Sequence, residues 1–225
     1  MTHNLNTELL RYSRHLEHAD KEVDKCLPGE KIVNEDIVVS YKFNSHGFRT
    51  HSLDDIQQPC WLVLGGSDTI GMANPEDVRW SNLLEQQYNT TVYNLGISGG
   101  SADTVTRLAV GWLDYIKPEK VFVQWPPPWR FELVEDNNGT KRIKHVTWRE
   151  GIQFATQYFL EDQNSWINYN KNKTMIRGLC AERGIDYYET GMLSEDLKQT
   201  PKGRDDKHGG AEYHKLIADY FIKKL

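Results

Sequence analysis

A serine stands between glycines directly after a short apolar run, and this placement suits a catalytic nucleophile. The run is Trp61-Leu62-Val63-Leu64, which has the length of a buried strand, and Gly65-Gly66-Ser67-Asp68 follows it. Open α/β sheets bind ligands at the carboxyl ends of their strands, which is where this serine would lie. The glycines allow a tight turn and a close approach of backbone N–H groups to an oxyanion. The same pattern also occurs in ordinary surface turns, so a catalytic role for Ser67 requires further catalytic residues elsewhere in the chain.

A carboxylate and an imidazole stand three residues apart near the other end of the chain. Asp205 and His208 precede a helical pattern, and in a turn entering a helix this spacing puts both side chains on one side. The carboxylate can then fix the tautomer of the imidazole, which can take the proton of a serine hydroxyl. Together with Ser67 these residues predict nucleophilic acyl transfer. A metal site that includes Asp206 is not favoured, because three ligands within four residues cannot easily surround one ion. No metal or cofactor is predicted.

These two blocks resemble those of the SGNH hydrolase superfamily, also called GDSL esterases/lipases. That family carries Gly-Asp-Ser near the N-terminus and Asp-x-x-His near the C-terminus, and residues 65–67 and 205–208 occupy those places here. The resemblance runs over about residues 60–225. It implies an α/β fold, namely a flavodoxin-like three-layer α/β/α sandwich with a mainly parallel sheet. It also implies that Ser67 is the nucleophile, Asp205 the orienting acid and His208 the base of a serine esterase.

The resemblance also names donors for an oxyanion hole. One is the backbone N–H of Ser67, and another is a glycine N–H in the family's second block. Residues 94–99, Asn-Leu-Gly-Ile-Ser-Gly, match that block and put Gly99 at the glycine position, with Gly96 as the alternative register.

The chain departs from the family pattern in two places. Gly66 replaces the usual aspartate before the nucleophile, and the third block, Gly-x-Asn-Asp, is missing. At its place stand residues 124–130, Gln-Trp-Pro-Pro-Pro-Trp-Arg. Gln124 or the indole N–H of Trp125 could replace the lost asparagine donor, and Arg130 could bind an anionic part of a substrate. Trp125 and Arg130 are therefore the candidate substrate-binding residues. The alternative is that this loop only shapes the wall of the cleft.

Alternating short apolar runs and helical stripes surround these blocks and indicate a mainly parallel sheet covered on both faces. Further strands are expected at residues 91–95, 120–125 and 185–189. Helices are expected at residues 75–88, 105–116, 148–160, 164–183 and 213–221, and a hairpin or loop at 135–142. Asn74 suits the N-cap of the first of these helices.

The first 50 residues lie outside the family pattern. They predict an N-terminal extension packed on the core, followed by an SGNH-hydrolase-like catalytic domain over residues 51–225. Residues 7–27 read as a polar helix, and residues 32–33 and 37–39 as short extended segments. Arg49 is interpreted as one half of a structural salt bridge.

Composition narrows the range of partners. The formal net charge of −5 argues against non-specific binding to nucleic acid or to an anionic membrane surface. Three cysteines without metal spacing are expected to be free thiols. Neither a signal peptide nor a membrane-spanning run is visible, so the expectation is a soluble protein, cytoplasmic as synthesised, with a virion or surface role left open. The oligomeric state is not predicted.

The sequence therefore favours a serine esterase that removes a small acyl group, such as acetyl, from a carbohydrate or another polar small molecule. The prediction of a carbohydrate substrate rests on family analogy and on the seven Trp and eleven Tyr of the sequence. Aromatic side chains often line sugar-binding clefts, but they also fill protein cores. Acyl transfer to another alcohol is a related alternative. The alternative from another class is a noncatalytic glycan-binding or structural module of a phage or cell-surface assembly. The lost asparagine favours that module, whereas the intact Ser67, Asp205 and His208 favour the enzyme.

Overall fold

The computed structural model describes residues 7–23, 27, 30–137, 140–147, 162–191 and 200–225. The strands in chain order are β1 (Glu22–Val23), β2 (Tyr41–Lys42), β3 (Cys60–Gly65), β4 (Thr91–Asn94), β5 (Lys120–Gln124), β6 (Arg130–Asn137), β7 (Thr140–Thr147) and β8 (Asp186–Thr190). The α-helices are α1 (Thr7–Arg11), α2 (Ser67–Ile70), α3 (Trp80–Tyr88), α4 (Ala102–Ile116), α5 (Asp162–Glu182) and α6 (Ala211–Ile222).

A four-stranded parallel sheet forms the centre of the described structure. Its strand order is β4-β3-β5-β8, and every neighbouring pair is parallel. All six residues of β3 are buried, because this strand has neighbours on both sides and helices over both faces. The expected α/β class with a parallel sheet is thereby confirmed. The serine block begins at the carboxyl end of β3. Since β3 is an inner strand, this end lies between the carboxyl ends of β4 and β5.

Helices cover both faces of the sheet and complete three layers. One buried cluster joins α4 and α5 to the sheet through Trp112, Ile176 and Leu62. The other joins α3 and α6 through Trp80, Phe221 and the alternate β3 residues. The period of two along β3 explains this division, since successive side chains point to opposite faces.

The N-terminal segment differs from the predicted long helix. Among the described residues of this segment, only α1 and a 3₁₀ turn at Leu16–His18 are helical, and Asp20 then adopts a left-handed conformation with φ 55°. The chain next forms β1, which pairs antiparallel with β2. The apolar stripe was too sparse to hold a long helix against these tertiary contacts. The predicted extended segments at 32–33 and 37–39 belong to no strand.

Arg49 is buried but is not part of the predicted salt bridge. Its guanidinium donates to the backbone carbonyls of Ser40, Gly71 and Asn74 and stacks over the Tyr41 ring at 4.5 Å. It thus fixes the turn that follows the serine block. The division into two units at residue 50 stays a prediction.

Helix α3 begins five residues later than expected, and Asn74 is not its N-cap. The Asn74 amide donates to the carbonyls of Met72 and Gly209, each at 2.8–2.9 Å. Its side chain is used to join the turn after the serine block to the loop before α6. Arg79 takes the N-cap position.

The remaining elements follow the sequence pattern closely. The hairpin of β6 and β7 occupies the region predicted as a hairpin or loop, and α4, α5 and α6 lie where helices were expected. The helix predicted at 148–160 falls outside the described residues. Within the described ranges, no helix combines the length and the apolar character needed to cross a membrane.

Candidate active site

A cavity of about 300 Å³ opens where the carboxyl ends of β3 and β5 meet the loop before α6. It brings together most of the residues that the sequence singled out. Its lining includes Gly66, Ser67, Asp68, Gln124, Trp125, Arg130, Lys202, Lys207, His208 and Tyr213.

Ser67 enters this cavity from the first turn after the central strand. It is the first residue of α2, so its backbone N–H has no acceptor within the helix and is available to an oxyanion. Ser67 is 9% exposed. Thr69 and Ile70 donate their N–H groups to the Gly66 carbonyl and hold the turn closed.

Asp205 and His208 form the pair that the sequence predicted. The Asp205 Oδ2 and His208 Nδ1 atoms are 2.7 Å apart, and Asp205 Oδ1 accepts the backbone N–H groups of Lys207 and His208 at 3.0 Å. Because the carboxylate accepts at Nδ1, the neutral imidazole carries its proton there. Nε2 is then the basic nitrogen.

Ser67 and His208 line the same cavity but form no hydrogen bond with each other in this structure. Catalytic hydrogen bonds of ligand-free sites are often long and tighten when substrate binds. The structure thus brings the predicted nucleophile and the predicted base to one cavity.

The carboxylate–imidazole pair shifts both pKa values toward the charged forms. For Asp205, burial raises the pKa, but the hydrogen bonds from His208 and its charge outweigh burial and lower the pKa to about 2. For His208, burial lowers the pKa, but the hydrogen bond to Asp205 and the nearby charge of Asp68 outweigh it, so the pKa lies above 6.5.

Gln124 and Trp125, the two residues proposed to replace the third-block asparagine, differ from each other in their hydrogen-bond partners. The Gln124 amide accepts from the Thr69 hydroxyl at 3.0 Å and donates to the Tyr213 hydroxyl at 3.1 Å, within the cavity lining. The Trp125 indole N–H donates to Glu189 at 2.9 Å, and Trp125 is 1% exposed. The indole is therefore engaged elsewhere, which contradicts its use as an oxyanion donor. Trp125 still contributes to the cavity wall and stays a predicted substrate-binding residue.

The glycines of the second block are not part of the cavity lining. Gly99 has φ +73°, and a β-carbon there would lie 3.0 Å from the Arg14 guanidinium of the N-terminal segment. The N–H of Gly96, the alternative, donates to the Asn94 side chain at 2.9 Å. The oxyanion role of Gly99 stays a prediction.

Several lining residues were not predicted from the sequence. Asp68 accepts a long hydrogen bond of 3.5 Å from the Tyr213 hydroxyl, and burial raises the pKa of its carboxyl. Lys202 and Lys207 flank Asp205 in the same loop. Their closeness in sequence to Ser67 and Asp205 could have indicated that they line the cavity. Turns at the end of a strand or before a helix place neighbouring side chains on the same side.

A buried network supports the loop that carries Asp205 and His208. The Arg204 guanidinium forms an ion pair with Glu30 at 2.6 Å, and the side chains are 4% and 0% exposed. The other Glu30 oxygen accepts from the Tyr41 hydroxyl at 2.9 Å, which in turn accepts the N–H of Ala73 at 2.8 Å. The N-terminal segment thus connects the loop that carries His208 to the turn after Ser67.

Two further contacts fix the same loop from outside. The N–H groups of Val33 and Asn34 donate to the Arg204 carbonyl at 2.9 Å, and the Asn34 amide donates to Gly203. Among the described residues there is no group of three or more His, Cys, Asp or Glu side chains arranged to hold a metal ion.

No family model matches the sequence, and no curated protein matches it. Among solved structures, a proposed lipolytic protein of the G-D-S-L family from Desulfitobacterium hafniense DCB-2 is 17% identical, with 75% of this chain and 100% of that chain covered and a TM-score of 0.39. The psychrotrophic esterase EstA from Pseudoalteromonas sp. is 16% identical, with 74% and 98% covered and a TM-score of 0.39.

A family two carbohydrate esterase from Clostridium thermocellum, solved in complex with cellohexaose, is 11% identical. The match covers 76% of this chain and 64% of that chain, with a TM-score of 0.43, so the chain spans less than two thirds of that esterase. These three solved structures, each similar to this protein at low sequence identity, are a G-D-S-L family lipolytic protein, an esterase and a carbohydrate esterase.

Proposed function

We propose that this protein is a serine esterase of the SGNH type, with Ser67 as nucleophile, His208 as general base and Asp205 as the orienting acid. The observation that carries the proposal is one cavity lined by both Ser67 and His208, with the imidazole held by Asp205 at 2.7 Å. A hydroxyl, an imidazole oriented at Nδ1 and a free N–H at a helix start are the parts that acyl transfer requires.

In this mechanism, Ser67 Oγ attacks the ester carbonyl while His208 Nε2 takes the hydroxyl proton. The negative charge that develops on the carbonyl oxygen is stabilised by the Ser67 N–H, with the Gln124 amide and Gly99 as candidate further donors. The alcohol leaves with the proton from Nε2. Water then attacks the acyl-serine, again with His208 as base, and releases the acid.

The substrate is proposed to carry a small acyl group, such as acetyl, on a carbohydrate or a similarly polar alcohol. A cavity of about 300 Å³ lies at the small end of the usual range for ligand sites. That size suits a short acyl chain with a compact alcohol. Residues 51–225 are proposed as the catalytic domain, and residues 1–50 as an extension that supports it.

Covalent labelling tests the nucleophile directly. The purified protein is expected to hydrolyse a chromogenic acetate ester and to lose this activity when treated with an alkyl fluorophosphonate. Mass spectrometry is expected to place one phosphonyl group on the peptide that contains Ser67. Full inactivation with the label on another residue would contradict the assignment, and absence of both hydrolysis and labelling in folded protein would contradict the esterase.

The second candidate function is a noncatalytic glycan-binding module with the same fold. It is favoured by the missing third-block asparagine and by the lack of a Ser67–His208 hydrogen bond. It predicts that Ser67→Ala binds glycan as tightly as the parent protein. It also predicts that the parent and the variant hydrolyse esters at the same rate.

The pH dependence of the reaction tests His208 as the base. Only the neutral imidazole accepts the serine proton, so kcat/KM is expected to rise with pH, with a midpoint above 6.5 because the pKa of His208 is raised. Asp68→Asn removes a negative charge that raises this pKa, so the midpoint is expected to move to lower pH.

The measurement is the pH–rate profile of kcat/KM for the parent, Asp68→Asn and the matched control Asp206→Asn. Asp206 is exposed and is not among the groups that shift the pKa of His208, so its variant should keep the parent midpoint. An unchanged or higher midpoint in Asp68→Asn would show that another group titrates.

A further inference from the structure

Three cationic side chains line the cavity without a carboxylate partner. Arg130, Lys202 and Lys207 form no ion pair with any residue of the described ranges, although all three face the space beside His208. The Arg130 Nη1 atom makes one long contact, 3.5 Å to the Gly100 carbonyl. Its Nε–H is buried and has no hydrogen-bond partner.

Three other arginines with little exposed surface make more polar contacts than Arg130, although the Arg49 Nε–H, like that of Arg130, is buried without a hydrogen-bond partner. Arg204 is paired with Glu30, Arg107 forms a two-point contact with Glu132, and Arg49 donates to four backbone carbonyls. Burial lowers the pKa of Arg130, because removing a guanidinium from water costs free energy, and the charge of Asp68 in the same cavity offsets only part of that cost. A ligand that supplies an acceptor would remove that cost.

The cavity lining is positive overall. Among the described residues of the lining, Asp68 is the single acidic one, against Arg130, Lys202 and Lys207. Asp205 lies behind His208 and is already bonded to it. A cleft lined by one sign of charge concentrates ligands of the opposite sign.

The positions of these cations are set by the backbone. Arg130 follows Pro126, Pro127 and Pro128, whose fixed φ angles limit the movement of this loop. Lys202 forms a bridge with Gly209, and the Gly203 N–H donates to the His208 carbonyl, so both lysines belong to the tight loop that carries His208. An anion held here would lie close to the reacting ester.

We propose that the ester substrate carries an anionic group, a carboxylate, sulfate or phosphate, and that Arg130 binds it with support from Lys202 and Lys207. The ester part of this statement rests on the proposed function, whereas the anion-binding part does not. Planar, forked N–H donors make arginine the side chain best suited to two-point recognition of such groups.

The first test compares charged and neutral esters of one shape. Hydrolysis of 4-acetoxybenzoate, 4-acetoxybenzenesulfonate, 4-acetoxyphenyl phosphate and the neutral 4-acetoxybenzamide is followed by phenol release. Each kcat/KM is divided by the hydroxide-catalysed rate constant to remove differences in leaving group. At least one anionic ester is expected to exceed the amide by roughly 10–100-fold, and the best one identifies the anion.

Arg130→Gln is expected to bring that ratio close to one, whereas Lys171→Gln, an exposed lysine on α5, should keep it. Equal normalised kcat/KM for charged and neutral esters in the parent would overturn the proposal. An equal loss on both kinds of ester in Arg130→Gln would also overturn it, because this result would assign Arg130 to the oxyanion instead.

Direct binding separates this proposal from the esterase. Calorimetric titration of Ser67→Ala with 4-hydroxybenzoate and 4-hydroxybenzamide is expected to show tighter binding of the acid, lost when Arg130→Gln is added. Such binding without any ester hydrolysis by the parent would refute the esterase and keep the anion site. Hydrolysis without preferential binding of the acid or of the sulfonate and phosphate analogues would refute the anion site and keep the esterase.

Discussion

Replacing Ser67 by alanine is expected to lower kcat/KM for a chromogenic acetate ester by about 10⁴-fold or more. In the proposed mechanism the hydroxyl oxygen of Ser67 forms the covalent bond to the acyl group, so its removal abolishes this step. The fold should persist, because the turn is held by the backbone carbonyls of Gly66 and Ser67, which the substitution keeps, and not by the Ser67 hydroxyl. The assay compares the purified variant with the parent at equal concentrations of folded protein.

The same experiment distinguishes a triad from three separate residues. His208→Ala is expected to lose a similar factor, and the Ser67→Ala, His208→Ala double variant should lose little more than either single one, because residues that act as a unit are not additive. Ser52→Ala, an exposed serine far from the cavity lining, is the matched control and should keep parental activity. Additive losses, or a small loss in Ser67→Ala, would contradict the mechanism.

Removing the Glu30 carboxylate is expected to destabilise the protein by about 3–5 kcal/mol. Glu30→Ala removes the carboxylate that pairs with the buried Arg204 guanidinium and takes the acceptor from the Tyr41 hydroxyl. The free energy of unfolding is measured by urea denaturation of parent and variant. Activity per folded molecule should fall as well, since Arg204 precedes Asp205 directly in the loop that holds the imidazole.

Two further variants make this result specific. Asp114→Ala removes one half of the exposed pair with Arg183 and should cost at most about 1 kcal/mol. The double variant Glu30→Leu, Arg204→Met replaces the buried pair by apolar side chains and is expected to recover part of the stability that Glu30→Ala loses. A change below about 1 kcal/mol in Glu30→Ala would contradict a supporting role for the pair.

Much of the core was predictable because its signals are local. The apolar run of β3 carries its own length and its glycine stop. The stripe of α4 repeats at helical spacing, and Ser101 caps this helix by accepting the N–H of Thr104. Asp205 and His208 are close in sequence, so their contact also follows from a local pattern.

The contacts that sequence reasoning missed join residues far apart in the chain. Arg204 meets Glu30, and Asn74 meets Gly209. No periodicity marks such pairs, since each is decided by how whole elements pack. The helix predicted at residues 7–27 is wrong for the same reason. Nothing in the sparse apolar stripe of this segment indicates that β1 pairs with β2. The assignments of Gly99 and of the boundary at residue 50 stay predictions.

The walls of the cavity come from three separate parts of the chain, and Gln124, Trp125 and Arg130 in its middle form one of them. Ser67 and Asp68 follow the first strand of the central sheet, whereas Lys202, His208 and Tyr213 follow the last described strand. During synthesis, which proceeds from the N-terminus, the cavity cannot close until α6 has left the ribosome and docked. Hydrolysis of a suitable ester substrate would therefore begin only when this part of the chain has folded. A nascent or truncated chain that lacks it would be inactive.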